Sequence, residues 1–235
     1  MAIPYFYFAH LATMNEEFAL NENSSRHIVQ VLRMQSGEDL RLTDGRGLSV
    51  IAKIREPNKK KCSVQIIEKQ KQEPPRRGVS IALSLLKNVS RFEWFLEKST
   101  ELGVSEIIPL KTARTEKQQF RADRMKSILE SALIQSQQVW MPVLHEPQNF
   151  NSWIENVGSD QKFIAHCENG KKNKLSEMID TNSSSQLILI GPEGDFTDEE
   201  IRLAISHQFV AVELGENRLR SETAAIAAAA ILKLI

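Results

Sequence analysis

The chain has 235 residues, 41% of them hydrophobic, which is enough core for one large or two modest domains. Its 30 Lys and Arg balance 30 Asp and Glu, and no apolar run reaches the roughly 18 residues that cross a bilayer, so a membrane-spanning chain is excluded. Two widely separated cysteines, Cys62 and Cys167, make no local Cys-x-x-Cys pair. Both read as buried hydrophobes, and five His with two Cys show no zinc-ligand spacing, so no metal is expected.

Zero net charge conceals an asymmetry. Residues 1–78 carry 13 Lys and Arg against 9 Asp and Glu, and the remainder 17 against 21, so an excess of about four positive charges sits on the first part. A basic N-terminal part favours a phosphate backbone as partner. The first eight residues are apolar but lack the charged start and small-residue cleavage site of a secretory signal, so a cytoplasmic protein is expected.

In chain order, residues 25–33 read as one short helix. Residues 39–44, 48–54 and 62–67 read as strands, the first two joined by a Gly45-Arg46-Gly47 turn. The polar stretch 69–78, with Pro74-Pro75 inside it, reads as an extended linker. A small β-rich domain over 1–73 and a second domain over 74–235 are therefore expected. Beyond the linker, strands at 80–85 and 107–110 flank a helix at 91–102, a second helix runs from about Ala122 to Gln138, and 163–166 is a strand. Strand and helix alternate, which is the pattern of a mostly parallel α/β sheet with helices on both faces.

The most informative residues come next. Strand-like runs at 187–190 and 210–214 each end in a glycine-bearing loop, Gly191-Pro192-Glu193-Gly194 and Gly215 to Arg220, and each loop opens into a helix. Thr197 and Glu200 fit a capping box at the first helix. Ser221 can cap the second, whose body from Thr223 to Leu232 is apolar nearly all round and must be buried against the sheet or another subunit. Alone, Gly-Pro-Glu-Gly is an ordinary turn and the Arg220 stretch a helix start with a solvated side chain. Paired at strand ends in one half of a chain, they are suited to hold a small ligand.

The stretch LILIGPEGDFTDEEI followed by VELGENRLRSETAAIAA resembles the RsmE family of methyltransferases, of the SPOUT class, and the resemblance extends along most of the chain. It implies a SPOUT-type α/β parallel sheet with a C-terminal trefoil knot, preceded by a PUA-like barrel that binds RNA. The implied activity is methylation of uridine N3 in 16S ribosomal RNA of the small ribosomal subunit, with S-adenosyl-L-methionine as cofactor. The resemblance also implies that backbone groups of Leu214, Gly215 and Leu219 read the adenine, with Gly191 and Glu193 near the ribose and methionine parts. Leu189, Gly194 and Thr223 complete the expected cofactor set. It further implies a homodimer, since in that class the second subunit completes the site. One departure stands out: where the family carries a Glu-Gln-x-x-Arg type sequence before a proline, this chain has Ile134-Gln135-Ser136-Gln137-Gln138-Val139-Trp140-Met141-Pro142.

Uracil N3 must lose a proton before it can attack, so such a site needs a base or a stabiliser of the uracil anion. Arg220 suits the second task, either at the carbonyl oxygens or at the neighbouring phosphate. Glu222 could accept the proton, hold Arg220 in place, or serve only as the first-turn acid of its helix. Arg26, His27, Arg33 and Arg114 are the candidate RNA contacts. Two other readings compete: a SPOUT enzyme with a different RNA target, and a non-catalytic RNA-binding or ribosome-assembly protein. Arg220, Glu222 and both glycine loops argue against the latter, and no G-x-G-x-x-G follows a strand as a dinucleotide oxidoreductase would need.

Overall fold

A computed structural model of the chain describes residues 3–116, 120–168 and 170–235. By contact it divides into two units, 3–74 together with 133–141, and 75–132 together with 142–235.

The first unit is a five-stranded sheet ordered β1-β3-β4-β5-β2: β1 Tyr5–Tyr7, β2 Glu17–Ala19, β3 Asp39–Thr43, β4 Leu48–Glu56 and β5 Ser63–Lys71. Only the β1–β3 pairing is parallel. Alternation along β4 buries Val50, Ala52 and Ile54, which meet Leu40, Leu42 and Val64 in the core. The expected linker begins later than the composition indicates. Lys69, Gln70 and Lys71 still pair with Val50, Ser49 and Leu48, but this end of β5 is exposed and carries no apolar signal. The single helix expected at 25–33 is also revised. Helix α1 spans Glu22–Arg26, with Ser24 N donating to the Asn21 side chain at its N-cap, and continues as a π-helical turn over His27–Val31. Arg33 then lies in the left-handed region at φ 55°, which ends the helix.

Residues 133–141 close this unit. Tyr5 Oη donates to the carbonyl of Gln138 (2.8 Å), Gly47 N to that of Val139 (2.8 Å), and Met141 N to that of Gly45 (2.9 Å). Gly47 has φ +92°, and a Cβ there would stand 2.4 Å from the Trp140 ring and 2.7 Å from the Gln72 carbonyl, so only glycine lets this segment lie down. The helix expected to reach Gln138 stops at Gln135, and Gln137 at φ 55° turns the chain into this contact.

The second unit is built on a parallel sheet ordered β11-β13-β10-β12-β6-β7-β8, with the short β9 also on β7. Its strands are β6 Gly78–Ser84, β7 Glu106–Lys111, β8 Val143–Leu144, β9 Gln148–Asn149, β10 Gln161–Ala165, β11 Asn173–Lys174, β12 Ser185–Ile190 and β13 Val210–Glu213. The helices are α2 Val89–Glu101, α3 Ala122–Gln135, α4 Phe150–Ile154, α5 Leu175–Met178, α6 Asp198–Ser206 and α7 Ser221–Leu234. The central strands β6 and β12 are buried along nearly their whole length, as strands covered on both faces must be. One cluster joins Ile108, Ile164, Leu187 and Leu189 to Phe150, Phe196 and Ile201. After β13 the chain returns, and α7 packs on β6, β12, α2 and α5. Ala225, Ala228 and Ala229 are fully buried, their small side chains allowing close approach. This return across the sheet agrees with the knot that the resemblance implies. Among the described residues no helix is long and apolar enough to cross a membrane.

Candidate cofactor site

Three loops meet at the C-terminal ends of the adjacent strands β13, β10 and β12, where ligands sit in parallel α/β sheets. They wall a cleft of about 640 Å³, a size suited to a small organic ligand. The β12 loop contributes Gly191, Pro192, Glu193 and Asp195. The β10 end contributes His166 and Cys167, and the stretch from Leu214 to Ser221 closes the far side.

The β12 loop is held in shape by its own atoms and by its neighbours. Asp195 N donates to the Pro192 carbonyl (2.9 Å), and Asp195 itself sits at φ 63°. Its carboxylate accepts from Phe196 N (2.8 Å) and from Cys167 N (2.6 Å), which ties the β12 loop to the β10 loop. At Gly191 a Cβ would come within 3.1 Å of both Asp195 Oδ1 and Phe196 N, closer than a Cβ ordinarily sits, so glycine suits the tight turn there. The Thr197–Glu200 capping box forms as the sequence indicates, Glu200 N donating to Thr197 Oγ1 (3.2 Å) and Thr197 N to Glu200 Oε2 (2.9 Å).

Two positions test whether the cleft suits S-adenosylmethionine. Gly215 has φ +151° and nothing within 4 Å of where its Cβ would stand, so its missing side chain leaves an open cradle. His166 lines the cleft with both ring nitrogens buried and without a partner among the described residues. Burial and the Lys172 ammonium hold its pKa below the usual imidazole value, so the ring is neutral and offers one donor and one acceptor. Around these lie backbone groups, apolar Ile190, Val212, Leu214 and Leu219, and the acids Asp195, Glu213 and Glu216. Apolar walls for a purine and carboxylates for a cationic ligand with a diol fit this cofactor.

The structure brings Gly191, Glu193, Leu214, Gly215, Leu219 and Arg220 to the cleft wall. The Glu193 carboxylate is already engaged, accepting from Lys87 N (3.1 Å). Other expected site residues lie elsewhere. Leu189 is fully buried inside the sheet, where alternation turns it into the core. Gly194 is exposed and abuts Arg114, and Thr223 is exposed on the outer side of α7. Glu222 is buried and is not among the residues that line the cleft, with Oε1 3.5 Å from Arg91 Nε and Oε2 without a partner among the described residues. Ser221 does not cap α7: Arg220 holds the N-cap position, and its side chain accepts no capping bond. Cys167 is exposed at the cleft, whereas Cys62 is buried. Burial and the Asp195 carboxylate push the Cys167 thiol up, so it stays protonated.

The expected RNA contacts divide in the same way. Arg26 pairs with Glu22 one turn away (2.6 Å), and the exposed His27 sets its ring against that of Phe6 at 5.8 Å. Arg33 is exposed, its guanidinium unpartnered among the described residues. Arg114 is committed, donating through Nη1 to the carbonyls of Gly194 (2.6 Å) and Phe196 (3.2 Å). Sequence reading singled out neither Arg91 nor His166 as a site residue. His166 alone had a local signal, as a polar residue ending a strand beside the glycine loops. Among the described residues no three His, Cys, Asp or Glu side chains gather as a metal site.

Comparison with known proteins agrees with this geometry. The RNA methyltransferase domain family matches residues 72–233, and the RNA methyltransferase PUA domain family matches 20–67. The ribosomal RNA small subunit methyltransferase E of Mesomycoplasma hyopneumoniae is 34% identical, over 72% of this chain and 75% of its own. A probable rRNA-methyltransferase of Porphyromonas gingivalis superposes with a TM-score of 0.89 at 32% identity, covering 97% of this chain and 95% of that one. A ribosomal RNA small subunit methyltransferase E from Neisseria gonorrhoeae, solved bound to S-adenosyl methionine, superposes with a TM-score of 0.87 at 28% identity, covering 99% of this chain and 98% of that one. With its catalytic unit matched along nearly its whole length and its first unit matched as a PUA domain, the chain belongs to the ribosomal RNA small subunit methyltransferase E family of RNA methyltransferases.

Proposed function

We propose that this protein methylates N3 of a uridine in 16S ribosomal RNA, using S-adenosylmethionine held in the cleft at the ends of β10, β12 and β13. The observation that carries the reading is Arg220: it lines that cleft, is exposed, and has no partner among the described residues. Bound there, S-adenosylmethionine supplies an already activated methyl group, so the protein's work is alignment and control of the uracil proton. Loss of that proton puts charge on the uracil carbonyl oxygens, and the Arg220 guanidinium in the cleft wall stabilises it. Glu222 reads as a brace, because its carboxylate is buried beside Arg91 and outside the cleft wall, where it steadies the first turn of α7 just behind Arg220. Arg33, unpaired among the described residues and carried on the basic first unit, is the strongest of the proposed RNA contacts there.

The test is mass spectrometry of 16S ribosomal RNA from a deletion strain. One uridine should lose a single methyl and regain it on complementation; an unchanged methylation pattern would overturn the reading.

The proposed setting is the cytoplasm, and the proposed assembly a homodimer. Helix α7 spends Ala225, Ala228, Ala229 and Leu232 on its own chain, while Leu234 and Ile235 remain 77% and 55% exposed and Trp94 on the neighbouring α2 is 42% exposed. Such apolar surface marks an interface. Light scattering at micromolar concentration should give twice the 26.7 kDa chain mass; a monomer would refute it.

A further inference from the structure

We propose that Arg114 is a positioning residue for cofactor binding: it clamps the Gly191–Gly194 loop in its ligand-ready shape and is not an RNA contact. This rests on the reading that the cleft holds S-adenosylmethionine.

The clamp is built from the sheet outward. Ser84, fully buried at the end of β6, lies 2.8 Å through its hydroxyl from Thr115 Oγ1 and 3.1 Å from Thr112 Oγ1. Thr112 N donates to Thr115 Oγ1 (2.8 Å), and Thr115 N donates to the Thr112 carbonyl (3.1 Å). From the other side, Ala113 N donates to Glu200 Oε1 (2.7 Å), the same carboxylate whose second oxygen closes the α6 capping box. The turn carrying Arg114 is thus fixed both by a hydroxyl cluster and by the helix that follows the glycine loop. Its guanidinium has little freedom to go elsewhere.

What Arg114 reaches is backbone. The Gly194 and Phe196 carbonyls bracket Asp195, the residue in the left-handed conformation, and both accept from the one Nη1. Charge-assisted bonds of this kind are about twice as strong as neutral ones. They lock the strained residue whose carboxylate in turn holds Cys167 N across the cleft. At Gly194 a Cβ would stand 3.4 Å from Arg114 Cδ, an ordinary contact distance, so the arginine lies packed against the loop backbone at this residue.

The experiment compares the full-length protein with Arg114→Ala and Arg114→Lys. Calorimetry with S-adenosylhomocysteine should show affinity falling about tenfold in the alanine variant, roughly the worth of one charged hydrogen bond. Lysine, able to reach one carbonyl, should recover part of that loss. Amide exchange at Asp195 and Phe196 should quicken in the alanine variant while β6 and β12 stay protected, and affinity for a 16S ribosomal RNA fragment without cofactor should not change. Unaltered S-adenosylhomocysteine affinity in Arg114→Ala, or a loss confined to RNA binding, would overturn the clamp. Wild-type protein that fails to bind S-adenosylhomocysteine would sink the cofactor reading instead, and the exchange rates at Asp195 and Phe196 would still decide whether the clamp exists.

Discussion

Arg220→Ala should slow methyl transfer by about a hundredfold or more, the range seen when one preorganised electrostatic stabiliser is removed, with S-adenosylhomocysteine affinity nearly unchanged. The structure separates these two effects. Arg220 stands at the N-cap of α7 with extended backbone, φ −69° and ψ 153°, yet its side chain caps nothing and pairs with nothing described. A cation at a helix N-terminus opposes the helix dipole, which costs a few tenths of a kcal/mol. Alanine there should therefore leave stability unchanged or slightly raised, and lost activity could not be blamed on folding. Steady-state kinetics should show the loss in kcat. Wild-type turnover in the variant would remove Arg220 from the mechanism.

The parts of this site that sequence reading found are those whose physics is local. The Thr197–Glu200 capping box spans four residues, the apolar runs of β12 and β13 announce themselves by composition, and each glycine loop directly follows its strand. Arg220 could be singled out because it sits between such a loop and an alanine-rich helix. What could not be read depends on residues distant in sequence. Arg114 meets the glycine loop 80 positions away. Read alone, its visible property is charge, and nothing local points to the Gly194 and Phe196 carbonyls that it bonds. Glu222 looks like a first-turn acid or a base until Arg91 appears beside it from another helix.

The first unit shows the same division. Alternating β4 is legible, but the docking of residues 133–141 is not, because that segment is bound mostly through its own carbonyls and amide, which any sequence offers equally. The glycine at 47 is the one trace it leaves, and from sequence that residue reads only as half of a Gly-Arg-Gly turn. Cys167 was misjudged for a related reason: its strand ends at Ala165, two residues short of it, and the cleft begins there.

Gly215→Val should weaken binding of S-adenosylmethionine and S-adenosylhomocysteine by about ten- to hundredfold, the affinity equivalent of the 1–3 kcal/mol that filling an occupied space costs. The prediction has two separable parts. At φ +151° any side chain strains the backbone, by about 1–3 kcal/mol, so Gly215→Ala and Gly215→Val should both lower the melting temperature, and by similar amounts. The steric part differs between them. Nothing in the protein lies within 4 Å of the Cβ position, so neither variant clashes with its own chain, and the added methyls project into the cradle that the ligand needs. Alanine should bind more weakly than wild type and valine more weakly again, a gradation that backbone strain alone does not produce. Calorimetry on the three proteins decides the matter: equal affinity in all three would mean that the cofactor does not lie against Gly215, and equal losses in the two variants would mean that glycine is needed there only for its conformation.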